Sequence, residues 1–124
     1  MSSESLHESA EKLSPATIDR HRATVSLMEE LEAIDWYDQR IDAATDEELK
    51  GILRHNRDEE KEHAAMVLEW LRRQDPILDQ QLRTYLFKDG GIVAAETEAE
   101  GGGSDNPDEG SLGIGDLRSE EVAP

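Results

Sequence analysis

The segment "LKGILRHNRDEEKEHAAMVLEWL", residues 49–71, repeats apolar residues at the spacing of one helix face. On a helical wheel that face comprises Leu49, Leu53, Ala64, Val67 and Leu71, flanked by Ile52 and Trp70. Glu60 and His63 fall on the same face, whereas Glu59, Lys61 and Glu62 fall outside it. A carboxylate in apolar surroundings loses favourable hydration, so this pair needs a partner that offsets the cost.

Composition limits the class of protein. The chain has 124 residues, enough for one small domain, and it has no cysteine, which excludes disulfides, thiolate zinc sites and thiol catalysis and fits a reducing compartment. Residues 1–15 lack the basic and apolar regions of a secretion signal, and no apolar run approaches the ~20 residues that span a bilayer. A net charge of −17 repels nucleic acid. We therefore expect no nucleic-acid partner and no membrane association.

A first helix is predicted on the N-terminal side of this segment. It follows Ser14–Pro15, a typical cap with proline at the first helical position, and continues to about Ala43. Its main apolar stripe is formed by Ala23, Leu27, Leu31, Ile34 and Ile41, and a thinner stripe on the opposite side by Ile18, Val25 and Trp36. A helix that is apolar on two sides usually packs on two partners.

The second helix is predicted to open at the capping box Thr45-x-x-Glu48 and to continue to about Gln74. So short a connection to the first helix predicts an antiparallel hairpin. A third, shorter helix is predicted from Asp75–Pro76 to about Gly90–Gly91. The fold class predicted from the sequence is therefore all-α.

Segments of other composition flank the helices. Residues 1–14 are predicted to be disordered, residues 15–91 to form the helical domain, and residues 92–109 to form a flexible acidic linker. A short apolar island follows within residues 110–118, and residues 119–124 are predicted to be disordered. The last 36 residues, 89–124, carry −9 of the net charge and too few large apolar residues to bury a core.

Glu60 and His63 form a Glu-x-x-His pair whose side chains point the same way from the helix, so both can reach one ion. Glu30 edges the apolar stripe of the first helix, with Tyr37 further along. In carboxylate-bridged di-iron bundles, two helices each supply a Glu and two others each supply a Glu-x-x-His. This chain has half of the ligands and half of the helices, so two chains would complete the bundle and the site together.

Other polar residues have simpler interpretations. Glu29 and Glu32 lie beside Trp36 on the thinner stripe, where they form either a solvated acidic face or a station that collects cations. The other histidines, His7, His21 and His55, lie away from the centre of the apolar faces and are interpreted as ordinary surface residues.

Two long stretches carry a resemblance to a known family. "RHRATVSLMEELEAIDWYDQR" at 20–40 and "HNRDEEKEHAAMVLEWLRR" at 55–73 strongly resemble the encapsulated ferritins. "GSLGIGDLR" at 110–118 is similar to the targeting peptide by which cargo proteins dock inside encapsulin shells. Residues 15–91 would then be a half-ferritin helical domain, a hairpin plus a short C-terminal helix that dimerises into a ferritin-like four-helix bundle.

The resemblance implies a function and assigns roles to residues. Glu30, Glu60 and His63 would be the ligands of a di-iron ferroxidase site shared by two chains, and Tyr37 would lie beside the irons. Glu29, Glu32 and Trp36 would form a metal-uptake site that holds iron, Ca²⁺ or another divalent cation. The family assembles as a ring of dimers, commonly ten chains, inside an encapsulin nanocompartment in the cytoplasm.

Two other functions fit the same residues. A non-enzymatic cargo protein that binds divalent metal, such as manganese or zinc, would use the same ligands, because affinity alone does not select iron. A structural hairpin would need Glu60 and His63 only as an interchain ion pair. Oxygen consumption on addition of Fe(II) separates the enzyme from the binding protein, and dimer stability after chelation identifies the structural hairpin.

Overall fold

The protein is helical in the computed structural model, which describes residues 5–103. A single 3-10 turn, Ala10–Lys12, precedes four helices: α1 Pro15–Ala43, α2 Glu47–Gln74, α3 Pro76–Tyr85 and α4 Ile92–Gly103. Residues 5–103 contain no strand, which confirms the all-α class predicted from the sequence. The described helices include none that is both long and apolar enough to cross a membrane.

The boundaries of α1 follow from its sequence. The side-chain oxygen of Ser14 accepts a hydrogen bond from the backbone N–H of Thr17 at 3.1 Å, and Pro15 occupies the first helical position. At the other end, the N–H of Ala44 donates to the carbonyl of Arg40, and the chain then becomes extended. Both ends agree with the prediction.

The start of α2 differs from the prediction by one residue. Asp46, rather than Thr45, is the cap, and its carboxylate accepts from the N–H of Leu49 at 2.8 Å. An aspartate is the stronger choice here because its charge also stabilises the positive end of the helix dipole. At the other end of α2, Arg72 and Arg73 donate to Glu69 and lower the pKa of that carboxyl to about 2.

α1 and α2 pack against each other as an antiparallel hairpin. The cross-helix partners run in opposite directions, with Asp38 of α1 bonded to Arg57 and Glu30 close to His63 further along α2. Among the described residues, the buried apolar side chains are Ile41 and Ala64. The other apolar residues of the faces keep part of their surface exposed, and Leu31 and Met66 are 54% and 58% exposed. The hairpin therefore leaves much of its apolar surface uncovered.

The chain divides into two compact units, one up to Leu78 and one from Asp79, so a boundary falls within the predicted helical domain 15–91.

α3 begins at the Asp75 cap as predicted, but it ends at Tyr85 rather than near Gly90. The reason is local: Phe87 has φ +60° and Gly90 has φ +89°, conformations that end a helix.

α4 is a difference from the sequence prediction. Residues 92–103 were expected to belong to a flexible acidic linker, yet they form a helix. Alanine and glutamate are strong helix formers and fill most of "IVAAETEAE", residues 92–100, so local propensity outweighs the acidic composition. A three-residue 3-10 turn, Ala10–Lys12, also forms within residues 1–14, the segment predicted to be disordered. The predicted peptide at 110–118 and the disordered end at 119–124 lie outside the described residues.

Candidate metal centre

The hairpin brings together the three side chains that the sequence analysis proposes as metal ligands. Glu60 and His63 lie one turn apart on α2, and Glu30 reaches them from α1. Nδ1 of His63 is 3.5 Å from Oε1 of Glu60 and 3.6 Å from Oε1 of Glu30. One ligand atom from each residue lies within 4.8 Å of the other two. Helical spacing on α2 places Glu60 beside His63, and antiparallel packing with α1 brings Glu30 to the same side of the hairpin.

The spacing of the cluster suits a first-row divalent cation. Such ions bind carboxylate oxygen and imidazole nitrogen at about 2.0–2.2 Å, which separates neighbouring ligand atoms by about 3 Å and opposite ones by about 4 Å. The distances from His63 to both carboxylates are close to these values. They are also longer than good hydrogen bonds, so each carboxylate interacts with the imidazole only weakly. The donor set of this chain therefore fits a metal ion.

The electrostatics of the cluster favour a cation. A hydrogen bond with Glu60, helped by partial burial and by repulsion from that second carboxylate, raises the pKa of Glu30 above its ordinary value, although His63 opposes the shift. Two neighbouring carboxylates repel each other when no cation is present. A divalent ion bound between them would make both negative charges favourable.

The cluster is only partly enclosed by its own chain. The side chain of Glu30 is 22% exposed, that of Glu60 26% and that of His63 43%. Three protein ligands also leave open positions around an ion that takes four to six. Both observations leave room for ligands from another molecule.

Arg40, a residue that the sequence analysis did not identify, lies beside Trp36 and Tyr37. The guanidinium carbon of Arg40 lies 5.6 Å from the centre of the Tyr37 ring and 6.0 Å from that of Trp36. Trp36 is half exposed, and Tyr37 is partly buried. Both distances lie within the range of cation–π contacts, so Arg40 is a neighbour of both rings.

Glu29 and Glu32 remain exposed on α1. Within residues 5–103, the group of three potential ligands consists of Glu30, Glu60 and His63 and does not include these two acids. His55, expected to be an ordinary surface residue, forms an exposed ion pair with Glu59 at 3.2 Å. Glu29 and Glu32 are thus exposed acids in the single chain, and their role as an uptake site stays a prediction.

An ion pair near the cluster was missed by the sequence analysis. Arg57 donates to Asp38 of α1 at 3.0 Å and to its neighbour Asp58 at 3.1 Å, and these bonds raise the pKa of the guanidinium. The sequence pattern does not predict this pair, because Asp38 lies five residues before the end of α1 and Arg57 lies ten residues after the start of α2.

A helical hairpin that carries two carboxylates and an imidazole in one cluster is a candidate metal-binding protein of the all-α class. The family model described as EncFtn-like matches residues 5–89, more than half of the chain. The chain belongs to this EncFtn-like family, which confirms the resemblance to the encapsulated ferritins predicted from residues 20–40 and 55–73.

Individual proteins show the same similarity. The chain is 59% identical to the encapsulated ferritin-like protein of Rhodospirillum rubrum over 128 aligned positions, which cover 96% of this chain and 91% of the relative. It is 51% identical to an encapsulin nanocompartment cargo protein of Myxococcus xanthus over 47 residues, 38% of this chain and 36% of that one. A crystal structure of a protein from Nitrosomonas europaea superposes with a TM-score of 0.69 at 59% identity, covering 70% of this chain and 96% of the other.

Proposed function

We propose that this protein is a ferroxidase that oxidises Fe(II) to Fe(III) with dioxygen at a di-iron site shared between two chains. The observation that carries the proposal is the convergence of Glu30, Glu60 and His63 in a hairpin of the EncFtn-like family. Iron is the substrate, and the oxidised iron is delivered for mineral storage inside an encapsulin compartment.

The sharing between chains follows from a count of ligands and from exposure. A di-iron bundle site uses two Glu and two Glu-x-x-His, and one chain supplies one of each. Leu31, next to Glu30, and Met66, one turn after His63, are more than half exposed. A second hairpin placed against this face would cover the apolar residues and add the missing ligands. Further dimers then build the ring, expected to hold ten chains.

The donor set suits oxidation of iron. Carboxylates are hard, anionic ligands and favour Fe(III) over Fe(II). Two ferrous ions held close together would supply two electrons to one dioxygen molecule, which with two protons from water gives hydrogen peroxide and two ferric ions. In this proposal Glu30, Glu60 and His63 would hold the ions, and Tyr37, whose ring lies 5.6 Å from the Arg40 guanidinium carbon, would lie near them.

In this proposal, the acids outside the cluster help Fe(II) to reach the inner site. Glu29, Glu32 and Trp36 form the uptake site, where exposed carboxylates raise the local concentration of Fe(II) and also bind Ca²⁺ or another divalent cation. The strongly negative chain contributes to the same attraction. Passage to the inner cluster then takes place between the paired hairpins.

The compartment is proposed from the relatives and from the tail. One relative is named an encapsulated ferritin-like protein and another an encapsulin nanocompartment cargo protein. Residues 110–118 of this chain, which lie outside the described residues, carry the apolar island that resembles a targeting peptide. The proposed partner is an encapsulin shell protein, and the proposed location is the lumen of that shell in the cytoplasm.

The function is tested by measuring Fe(II) oxidation and dissolved oxygen together. We expect oxygen uptake to begin on addition of Fe(II), faster than in protein-free buffer, and to continue beyond the amount of iron that fills the sites. The Glu60→Gln variant is the matched control, because it keeps the size of the side chain and loses the anionic ligand. Saturable metal binding with oxygen uptake no faster than in buffer would favour the non-enzymatic metal-binding cargo protein instead.

Removing one outer acid should affect supply rather than chemistry. We expect Glu32→Ala to lower the oxidation rate about 2- to 5-fold at low Fe(II) and low salt, because one charge of the attracting surface is lost. The difference should shrink as ionic strength rises. Stopped-flow absorbance at several iron and salt concentrations measures this effect, with Asp42→Ala, another exposed acid of α1, as control. Loss of metal from the inner site in a crystal of Glu32→Ala would contradict the division into two sites.

A further inference from the structure

An ion pair joins α1 and α2 on the loop side of the metal cluster. Nη1 of Arg57 lies 3.0 Å from Oδ1 of Asp38, across the two helices. The same guanidinium holds Asp58 of its own helix through Nε at 3.1 Å. The Arg57 side chain is 23% exposed and that of Asp38 is 53% exposed, so the guanidinium is partly covered while the carboxylate faces water.

The position of this pair matters because the cluster is far from the loop that joins the helices. Glu30 lies 14 residues before Ala44, about 21 Å along a helix that rises 1.5 Å per residue. Asp38 lies between them, about 12 Å from Glu30 and about 9 Å from the end of α1. The Asp38–Arg57 pair is therefore a second attachment point between the loop and the cluster.

Apolar packing alone does little to fix the helices at that distance. Burial of apolar surface is non-directional, so it tolerates small shifts of one helix along another. Among the described residues, the buried apolar side chains are Ile41, at the loop end of α1, and Ala64, a small residue next to His63. A metal site requires more than this, since its ligands must lie within a few tenths of an ångström of their positions.

We propose that Arg57 and Asp38 are positioning residues that hold α1 and α2 in the register at which Glu30 reaches Glu60 and His63. The pair touches no ligand and acts through the helices: it fixes their relative height about two turns from Glu30 on α1 and about one turn from Glu60 on α2. The inference rests on the proposed function only in taking this cluster as the metal site. Arg57 and Asp38 have no part in the chemistry itself.

The test uses Co(II) alone as the probe, added to the full-length assembled protein without Fe(II). Bound Co(II) reports its ligand geometry through its visible absorption, and titration gives its affinity. We expect Arg57→Gln and Asp38→Asn each to weaken Co(II) binding about 10-fold, as loss of a residue that orients metal ligands typically does, and to change the absorption spectrum in the same way. Arg57→Lys, which keeps the charge, should recover part of the affinity.

Arg22→Gln is the matched control, because Arg22 also pairs with an aspartate, Asp19 at 2.7 Å, but within α1 and in solvent. It should bind Co(II) like the parent protein. The proposal is overturned if Arg57→Gln and Asp38→Asn bind Co(II) within about twofold of the parent with an unchanged spectrum. It is also overturned if Arg57→Gln alone is weakened, because Asp58 would then be the important partner. A parent protein that binds Co(II) but does not oxidise Fe(II) would refute the ferroxidase and leave this inference intact.

Discussion

His63→Ala should remove most of the iron oxidation while the protein stays helical. Loss of residues that only orient metal ligands already costs 10–100-fold, so loss of a ligand itself should cost on the order of 100-fold or more in rate. The helix should persist, because His63 is 43% exposed and alanine is the better helix former. Association promoted by iron should weaken as well, since a ligand that binds across two chains stabilises the assembled state. Fe(II) oxidation, circular dichroism and sedimentation with and without iron measure the three effects.

His55→Ala is the control for this experiment. His55 lies on the same helix, and its pair with Glu59 is exposed and away from the cluster. It should oxidise iron and associate like the parent protein.

The decisive comparison for a shared site is the rate of isolated monomer against assembled protein at equal chain concentration. Equal rates per chain, with the monomer shown to stay monomeric in Fe(II), would refute it.

Deleting residues 110–124 should abolish loading into a co-expressed encapsulin shell and leave iron oxidation unchanged. The segment contains none of the proposed ligands, so the chemistry should not depend on it. Its apolar island offers Leu112, Ile114 and Leu117, and burying each such side chain contributes about 1.5–3 kcal/mol. Gly113 and Gly115 between them allow the peptide to lie close to the shell wall. Several tails from one ring would bind together, so weak single contacts suffice.

Deletion of residues 119–124 alone is the matched control, because it shortens the chain and keeps the apolar island. This protein should load as the parent does. Co-purification followed by electron microscopy of the shells measures loading, and an oxygen electrode measures oxidation. If the chain without residues 110–124 were still found inside shells, docking through the tail would be wrong.

The helices were predictable wherever a local signal decides them. Ser14–Pro15 and Asp75–Pro76 combine a side-chain cap with proline at the first position, and both helices begin there. At the start of α2 two capping residues are adjacent, and the pattern predicts Thr45 although Asp46 forms the hydrogen bond. The end of α3 depends on a positive φ at Phe87, a conformation that side-chain pattern does not predict for phenylalanine.

The grouping of Glu30, Glu60 and His63 was predictable in part from one helix and one packing rule. The three-residue spacing places Glu60 beside His63, and Glu30 joins them because it lies on the stripe of α1 that faces α2. The distances of 3.5 and 3.6 Å depend on register, which helical periodicity does not specify. Arg57 was overlooked because it lies off the apolar face, and its importance is visible only once Asp38 is placed opposite.

The small buried core of the hairpin affects how the amount of assembled protein depends on the expression level. Ile41 and Ala64 are the buried apolar residues among those described, so a single chain has a small core and local opening should expose it to proteases. On the proposed pairing, the assembled fraction rises faster than linearly with concentration. Halving the expression level would then reduce the number of rings by more than half. At low expression, cellular proteases would degrade most chains before they assemble.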